Sequence, residues 1–188
     1  MSNLNWEQIS SKYLVRADWA TLRVDTCRMP DGTVIPDYYV LEYPDWVNAV
    51  ALTEDNQVIL VKQYRHAAGE EFLELPGGCI EKGESPEQAA RRELLEETGY
   101  EFKNLEFLSE LYANPATATN KTHCFLATGG KKVADQNLDL GEEIIVELVS
   151  LEKLKQLVKR NKFGHALHTS GIFYALMKLG CLEGKLGG

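Results

Sequence analysis

Apolar positions along this chain repeat with two periods, which divide it into strand-like and helix-like stretches. Residues 13–45 hold short apolar runs around a turn: Tyr13–Arg28 in pieces, then Pro30, Asp31 and Gly32, then Val34–Tyr43. The alternation is imperfect. Pro-Asp-Gly nevertheless joins a preset φ, a turn-forming side chain and a residue without a Cβ, which together make a turn. Trp46–Leu52 and Val58–Gln63 read as better strands, joined by the polar turn Thr53–Gln57. Phe72–Leu75 is a short strand running into Pro76, Gly77 and Gly78. Pro86–Thr98 predicts a helix: Ser85 suits the N-cap, Pro86 the first helical position, and Gln88 completes a capping box. Gly99 stands where a left-handed residue closes such a helix. Further strands are expected at Glu106–Tyr112, His123–Ala127 and Glu143–Val149, then helices near Leu151–Lys159 and His165–Leu179, the second closed by Gly180. Strands and helices interleave without a regular βαβ rhythm, so the fold class expected is α+β.

At 188 residues the chain suits one ordinary domain, or one with a small appendage. Its 44% hydrophobic and 26% charged residues are those of a globular protein. No apolar run approaches the roughly 18 residues of a membrane span. The start, with Asn3, Asn5, Glu7 and Gln8 around Trp6, is too polar for a secretory segment, so a cytoplasmic location without a membrane partner is expected. Cys27, Cys79, Cys124 and Cys181 lie far apart and form no C-x-x-C pair, which reads as free thiols. A net charge of −8 disfavours a nucleic-acid partner. It does not exclude a small anionic substrate, because a bound divalent metal reverses the local field.

The predicted helix carries the chemistry. Glu93, Glu96 and Glu97 stand at i, i+3 and i+4, within one arc of about 100°. Ala89 and Ala90 lie one turn earlier on the margins of that arc, where small side chains would let a metal or phosphate approach the backbone. Like charges at this spacing cost roughly 0.2–0.5 kcal/mol, and they fall at the helix end that disfavours anions. Something positive should compensate. Taken alone, an E-x-x-E-E helix reads as a solvated acidic face with Arg92 paired to Glu96.

The wider context changes that reading. Gly78, Glu84, Arg92, Glu93, Leu94, Glu96, Glu97 and Gly99 match G-x5-E-x7-R-E-U-x-E-E-x-G-U, with U a bulky apolar residue. Ordinary residue frequencies put chance agreement at the fixed positions at on the order of 10⁻⁹. The segment resembles the Nudix hydrolases, departing only at the final position, where Tyr100 replaces the commoner aliphatic residue. The resemblance implies an α/β/α sandwich with a mixed β-sheet from residue 46 to 188, preceded by a small N-terminal β-subdomain over residues 1–45. It implies Mg²⁺ or Mn²⁺, two or three ions, held by Glu93, Glu96, Glu97 and the backbone carbonyl of Gly77, with Glu84 as a supporting group. Arg92 is expected to orient the carboxylates rather than to touch phosphate.

Val58–Arg65 (VILVKQYR), Glu71–Gly78 (EFLELPGG) and Pro115, beyond the box, resemble the ADP-ribose and nucleotide-sugar pyrophosphatase branch. That branch implies a nucleotide-sugar substrate bound by Arg65 and Glu74, a homodimer, and an N-terminal subdomain that builds the dimer and part of the nucleotide pocket. Trp46 is a candidate to stack on a nucleobase, with a core tryptophan as the plain alternative. The water-activating base is expected on the loop Asp139–Glu143, with Glu142 preferred to Glu143. His165 and His168, at i, i+3, have a spacing able to hold a metal. With no carboxylate or cysteine near them in sequence, they read as packing or surface histidines. The rival readings are another Nudix substrate (a GDP- or UDP-sugar, a dinucleotide or a nucleoside triphosphate) and a regulator that binds such ligands without hydrolysing them.

Overall fold

The computed structural model describes residues 3–182. Around Asp18 and Trp19 the chain reverses into an antiparallel hairpin of β1 (Glu7–Ala17) and β2 (Ala20–Arg28), and β3 (Val34–Glu42) follows the Pro30–Gly32 turn. The three strands form an antiparallel sheet in the order β1-β2-β3. β1 begins six residues before the apolar run that suggested it, because Glu7–Lys12 pair with Val24–Arg28 of β2 without needing an apolar face. Residues Met1–Pro44 and Tyr112–Lys121 form one compact unit, in which Leu41 bridges Ala118 and the Tyr38 hydroxyl donates to the Ala116 carbonyl at 2.6 Å. Every residue of β1 is exposed, Ile9, Tyr13, Leu14 and Val15 among them.

The second unit, Asp45–Leu111 with Thr122–Gly188, carries a six-stranded mixed sheet. Its strands are β4 (Trp46–Thr53), β5 (Gln57–Arg65), β6 (Glu70–Glu74), β7 (Tyr100–Tyr112), β8 (Lys121–Lys132) and β9 (Ile145–Ser150). The order is β6-β5-β4-β8-β7, and β9 pairs with β5. β4 and β8 run parallel, whereas β5 pairs antiparallel with β4, β6 and β9. β4 is buried from Val47 to Thr53 because helices cover both faces of the sheet. On one face Val47, Ala49 and Ala51 meet Ala89, Ala90 and Leu94 of α1 (Pro86–Thr98). On the other, Val50 and Leu52 pack with Leu154 of α2 (Leu151–Lys159) and with Ile172, Ala175 and Leu176 of α3 (Ala166–Lys178). The unit is therefore an α/β/α sandwich.

Helix α1 has the expected ends. The Ser85 side chain accepts from the Gln88 amide, Gln88 returns the bond to the Ser85 amide, and Gly99 turns left-handed at φ 75°. One expectation fails. Ala89 and Ala90 are fully buried against β4, so their small size brings helix and sheet together and leaves no approach for a metal or phosphate. β7 begins at Tyr100, earlier than the alternation suggested, since Tyr100 and Phe102 pack under α1 directly after the Gly99 turn. β8 runs on to Lys132, where Gly130 admits the Phe102 ring; a Cβ there would overlap that ring. No helix among the described residues is long and apolar enough to cross a membrane.

Candidate active site

Three segments of the second unit converge on one face of α1: the Pro76–Gly78 turn after β6, the helix itself, and the loop between β8 and β9. The turn lies hard against β4, with Ala49 N–H donating to the Pro76 carbonyl and Val47 N–H to the Gly78 carbonyl. Gly77 has no room for a side chain, because a Cβ would overlap the Val47 carbonyl. At Gly78 a Cβ would overlap the Glu93 carboxylate, so the two glycines let backbone and carboxylates meet. Among the described residues the Gly77 carbonyl accepts no backbone hydrogen bond, while both neighbouring carbonyls are engaged.

Arg92 is the hub of the carboxylates. Its Nε and Nη2 grip Glu84 at 3.0 Å each, and Nη1 donates to Glu93 at 2.8 Å and to Glu96 at 3.0 Å. Nη2 also donates to the Cys79 carbonyl at 2.9 Å. These five bonds match the five N–H groups of a guanidinium, so none is left over for a phosphate. The pairing with Glu84, foremost, holds Arg92 firmly protonated and lowers the Glu84 carboxyl.

Glu97 has a different environment. It is 3% exposed, and its Oε2 accepts the Gly77 amide at 2.8 Å. Burial raises its carboxyl well above the usual range, and the charges of Glu93 and Glu142 raise it further. Glu93 is pushed up to about 6, first by burial, against the opposing pull of Arg92 and with help from Glu96 and Glu142. Two acidic groups thus share one buried corner with their negative charge incompletely offset. That is the chemistry of a cation site: hard oxygen donors, a free carbonyl, and a surplus of negative charge. The carboxylates have not drawn together around a point, since Arg92 pulls Glu93 and Glu96 toward itself.

The charge of Glu142 reaches both Glu93 and Glu97 and raises their carboxyls. Its own Oε2 accepts the Asp139 amide at 3.1 Å, across a turn in which Gly141 adopts φ 92°. Glu142 and Glu143 are both exposed. The loop is tied to the C-terminal end of α1, where helix carbonyls need partners. Asn137 N–H donates to Glu96 O at 2.8 Å, while Gln136 Nε2 donates to Glu97 O at 2.7 Å and Ile144 O at 3.1 Å. Nothing in the local pattern singled out these two residues, since an amide in a polar loop looks like any other.

Arg65, at the end of β5, donates Nη2 to Glu74 Oε2 at 2.6 Å and Nε to the same oxygen at 3.1 Å, and Gln63 adds a third bond at 3.0 Å. Glu74 is fully buried, whereas the Arg65 side chain is 42% exposed. Trp46 is half-buried, with its indole nitrogen enclosed and the Cys79 thiol beside it. Burial raises that thiol, so Cys79 is no activated nucleophile. Pro115 is exposed and belongs to the first unit, on the segment that bridges to β3. The histidines bring a surprise. One atom each from Glu74, His165 and His168 lie within 4.8 Å of one another, so these histidines do have a carboxylate, supplied from 91 and 94 residues away.

Comparison with known proteins agrees with this geometry. Residues 43–168 match the NUDIX domain, and residues 6–41 match the nucleoside diphosphate sugar hydrolase N-terminal domain. The chain is 32% identical over 180 residues to an ADP-ribose pyrophosphatase of Bacillus subtilis (strain 168), covering 95% of this chain and 96% of that protein. It is 33% identical over 157 residues to a methanol dehydrogenase activator of Bacillus methanolicus, covering 83% and 82% respectively. A crystal structure of an ADP compounds hydrolase superposes with a TM-score of 0.84 at 23% identity, over 97% of this chain and 100% of the other.

Proposed function

The chain belongs to the Nudix family, and from that premise we propose that it hydrolyses the diphosphate linkage of a nucleoside diphosphate sugar of the ADP-ribose type. Water attacks one phosphorus, the bridging P–O bond breaks, and the products are a nucleoside monophosphate and a sugar phosphate. The observation that carries this reading is the buried Glu97–Glu93 corner beside the Gly77 carbonyl, whose negative charge Arg92 does not fully offset.

Glu93, Glu96, Glu97 and the Gly77 carbonyl would hold Mg²⁺ or Mn²⁺, two or three ions. When bound, these supply neutralisation of the diphosphate charge and Lewis acidity at phosphorus. Glu142 takes the proton of the attacking water from its loop beside Glu93 and Glu97. Arg92, with its N–H groups committed, fixes the orientation of three carboxylates. Arg65 keeps exposed guanidinium surface for the sugar or a phosphate, while buried Glu74 holds it in place. Trp46 offers a half-exposed indole for a nucleobase.

The enzyme works as a homodimer in this reading. Exposed Ile9, Tyr13, Leu14 and Val15 on the edge strand β1, with Trp6 before it and Trp19 at its turn, support that reading as apolar surface for a second copy to cover.

The test is a panel of ADP-, GDP- and UDP-sugars, NADH and nucleoside triphosphates incubated with Mg²⁺, with products separated by ion exchange. Nucleoside monophosphate is expected from ADP-sugars, and its release is expected to stop in EDTA and in Glu97→Gln. Activity of the folded Glu97→Gln protein at the wild-type rate would refute the site. Binding of ADP-ribose without turnover would make the protein a ligand-sensing regulator.

A further inference from the structure

We propose that His168 is a positioning residue of the substrate site. Its ring, anchored on the Leu75 amide, presents Nε2–H to the free oxygen of buried Glu74 and so fixes the carboxylate that holds Arg65. The inference rests on the reading of Arg65 as a substrate-binding group.

His168 lies on the buried face of α3, one turn before Gly171 and Ile172 and two before Ala175. A Cβ on Gly171 would crowd Cys124, Asn48 and Leu75, which shows how closely this end of the helix approaches the strands. The first unpaired amide after β6, that of Leu75, donates to His168 Nδ1 at 3.0 Å. An imidazole nitrogen that accepts a hydrogen bond carries a lone pair there. In the neutral ring the proton must therefore sit on Nε2. Burial and the nearby charge of Arg65 keep the ring neutral.

Such a donor needs an acceptor, and the structure holds one. Glu74 is fully buried, and its Oε2 takes all three bonds from Gln63 and Arg65. Its Oε1 is buried without a partner, and a carboxylate oxygen of Glu74 lies within 4.8 Å of a ring nitrogen of each histidine. In the proposed arrangement a rotation of His168 or Glu74 brings Nε2–H onto that oxygen. His165, at the helix N-cap, has its Nδ1 likewise buried without a partner, and its ring lies 4.2 Å from that of His168.

The same three residues look like a zinc site, and the Leu75 bond argues against it. A histidine whose Nδ1 accepts an amide cannot also offer a bare Nε2 unless it becomes imidazolate. That leaves Glu74 and His165, one ligand short of the three protein ligands usual at zinc.

Two variants separate the functions of the ring. His168→Asn keeps an oxygen for the Leu75 amide but cannot reach Glu74, whereas His168→Gln can place an N–H near the Nε2 position. With ADP-ribose and Mg²⁺, His168→Asn is expected to raise KM about ten-fold with kcat changed less than about two-fold, and His168→Gln to recover part of the loss. In an Arg65→Ala background, His168→Asn should add nothing, because the group it positions is gone. An equal KM penalty with and without Arg65 would overturn the proposal. If Arg65→Ala itself leaves KM unchanged, the assignment of Arg65 to the substrate fails instead. Long-range ¹H–¹⁵N correlation on the wild-type protein needs no variant to fold: a neutral Nε2–H tautomer at His168 supports the proposal. An Nδ1–H tautomer, or one equivalent of tightly held zinc lost in His165→Ala, overturns it.

Discussion

Replacing Glu93 with glutamine should make the metal-free protein more stable while removing much of its response to metal. Glu93 rises from an ordinary 4.5 to about 6, because a buried carboxylate near Glu96 and Glu142 is hard to ionise even with Arg92 alongside. A carboxyl raised in the folded state contributes stability that is full below pH 4.5 and lost as pH rises through about 6. Moving from 4.5 to about 6 corresponds to about 2 kcal/mol, which the metal-free protein forfeits at pH 8. Glutamine never ionises, and its carbonyl oxygen can still accept from Arg92 Nη1. The pull of Arg92 on the charged form is already contained in the net rise to about 6. The variant therefore gains about 2 kcal/mol at pH 8, or roughly 4–8 °C in Tm for a chain of this size. Thermal unfolding in EDTA at pH 4 and pH 8 reads it directly. The two proteins should converge at pH 4 and separate at pH 8, with the variant higher. Adding Mg²⁺ at pH 8 should raise wild type more than the variant, since ligand stabilisation follows affinity for the folded state. A variant less stable than wild type at pH 8 in EDTA, or one that gains as much from Mg²⁺, would refute the account of this corner as an unfilled demand for a cation.

Two further substitutions probe the loop. Glu142→Gln should lower kcat by more than ten-fold and change KM little, as steady-state kinetics will show; a drop seen only in Glu143→Gln would assign the base to the neighbouring residue. Gln136→Ala removes the partner of the Glu97 carbonyl at the end of α1 and of the Ile144 carbonyl before β9, at a cost of about 1–3 kcal/mol. It should also lower kcat by loosening the Glu142 loop, with faster amide exchange across residues 133–144 as the accompanying sign.

What the sequence disclosed about the fold depended on how local the cause was. Ser85, Gln88 and Gly99 set the limits of α1 through bonds spanning three or four residues, and the helix appears within those limits. Its tertiary role was partly misread. Ala89 and Ala90 face Val47 and Ala49 across the sandwich, and no helical wheel distinguishes an open margin from one pressed on a strand. Strand ends suffered for the same reason. Glu101, Lys103 and Asn104 look like a loop until Tyr100 and Phe102 are seen to pack beneath the helix.

The site divides along the same line. The acidic corner was legible because one helix turn holds its carboxylates and one turn of chain its glycines, so spacing alone specifies their meeting. Glu142 was reachable only through family likeness, because its loop is tied to the end of α1 by Gln136 and Asn137, which carry no signal in sequence. His168 was least legible of all. In sequence it is a histidine on an apolar helix face, which is ordinarily a packed residue. Its meaning comes from a strand amide that fixes its tautomer and from a buried carboxylate with one oxygen spare, both contributed more than ninety residues earlier. The acidic corner can thus be read from a short motif, whereas the proposed grip on substrate would depend on contacts between β5, β6 and α3. It follows that two chains sharing the box can differ in what they bind, because the residues that hold Arg65 lie on elements the box does not constrain.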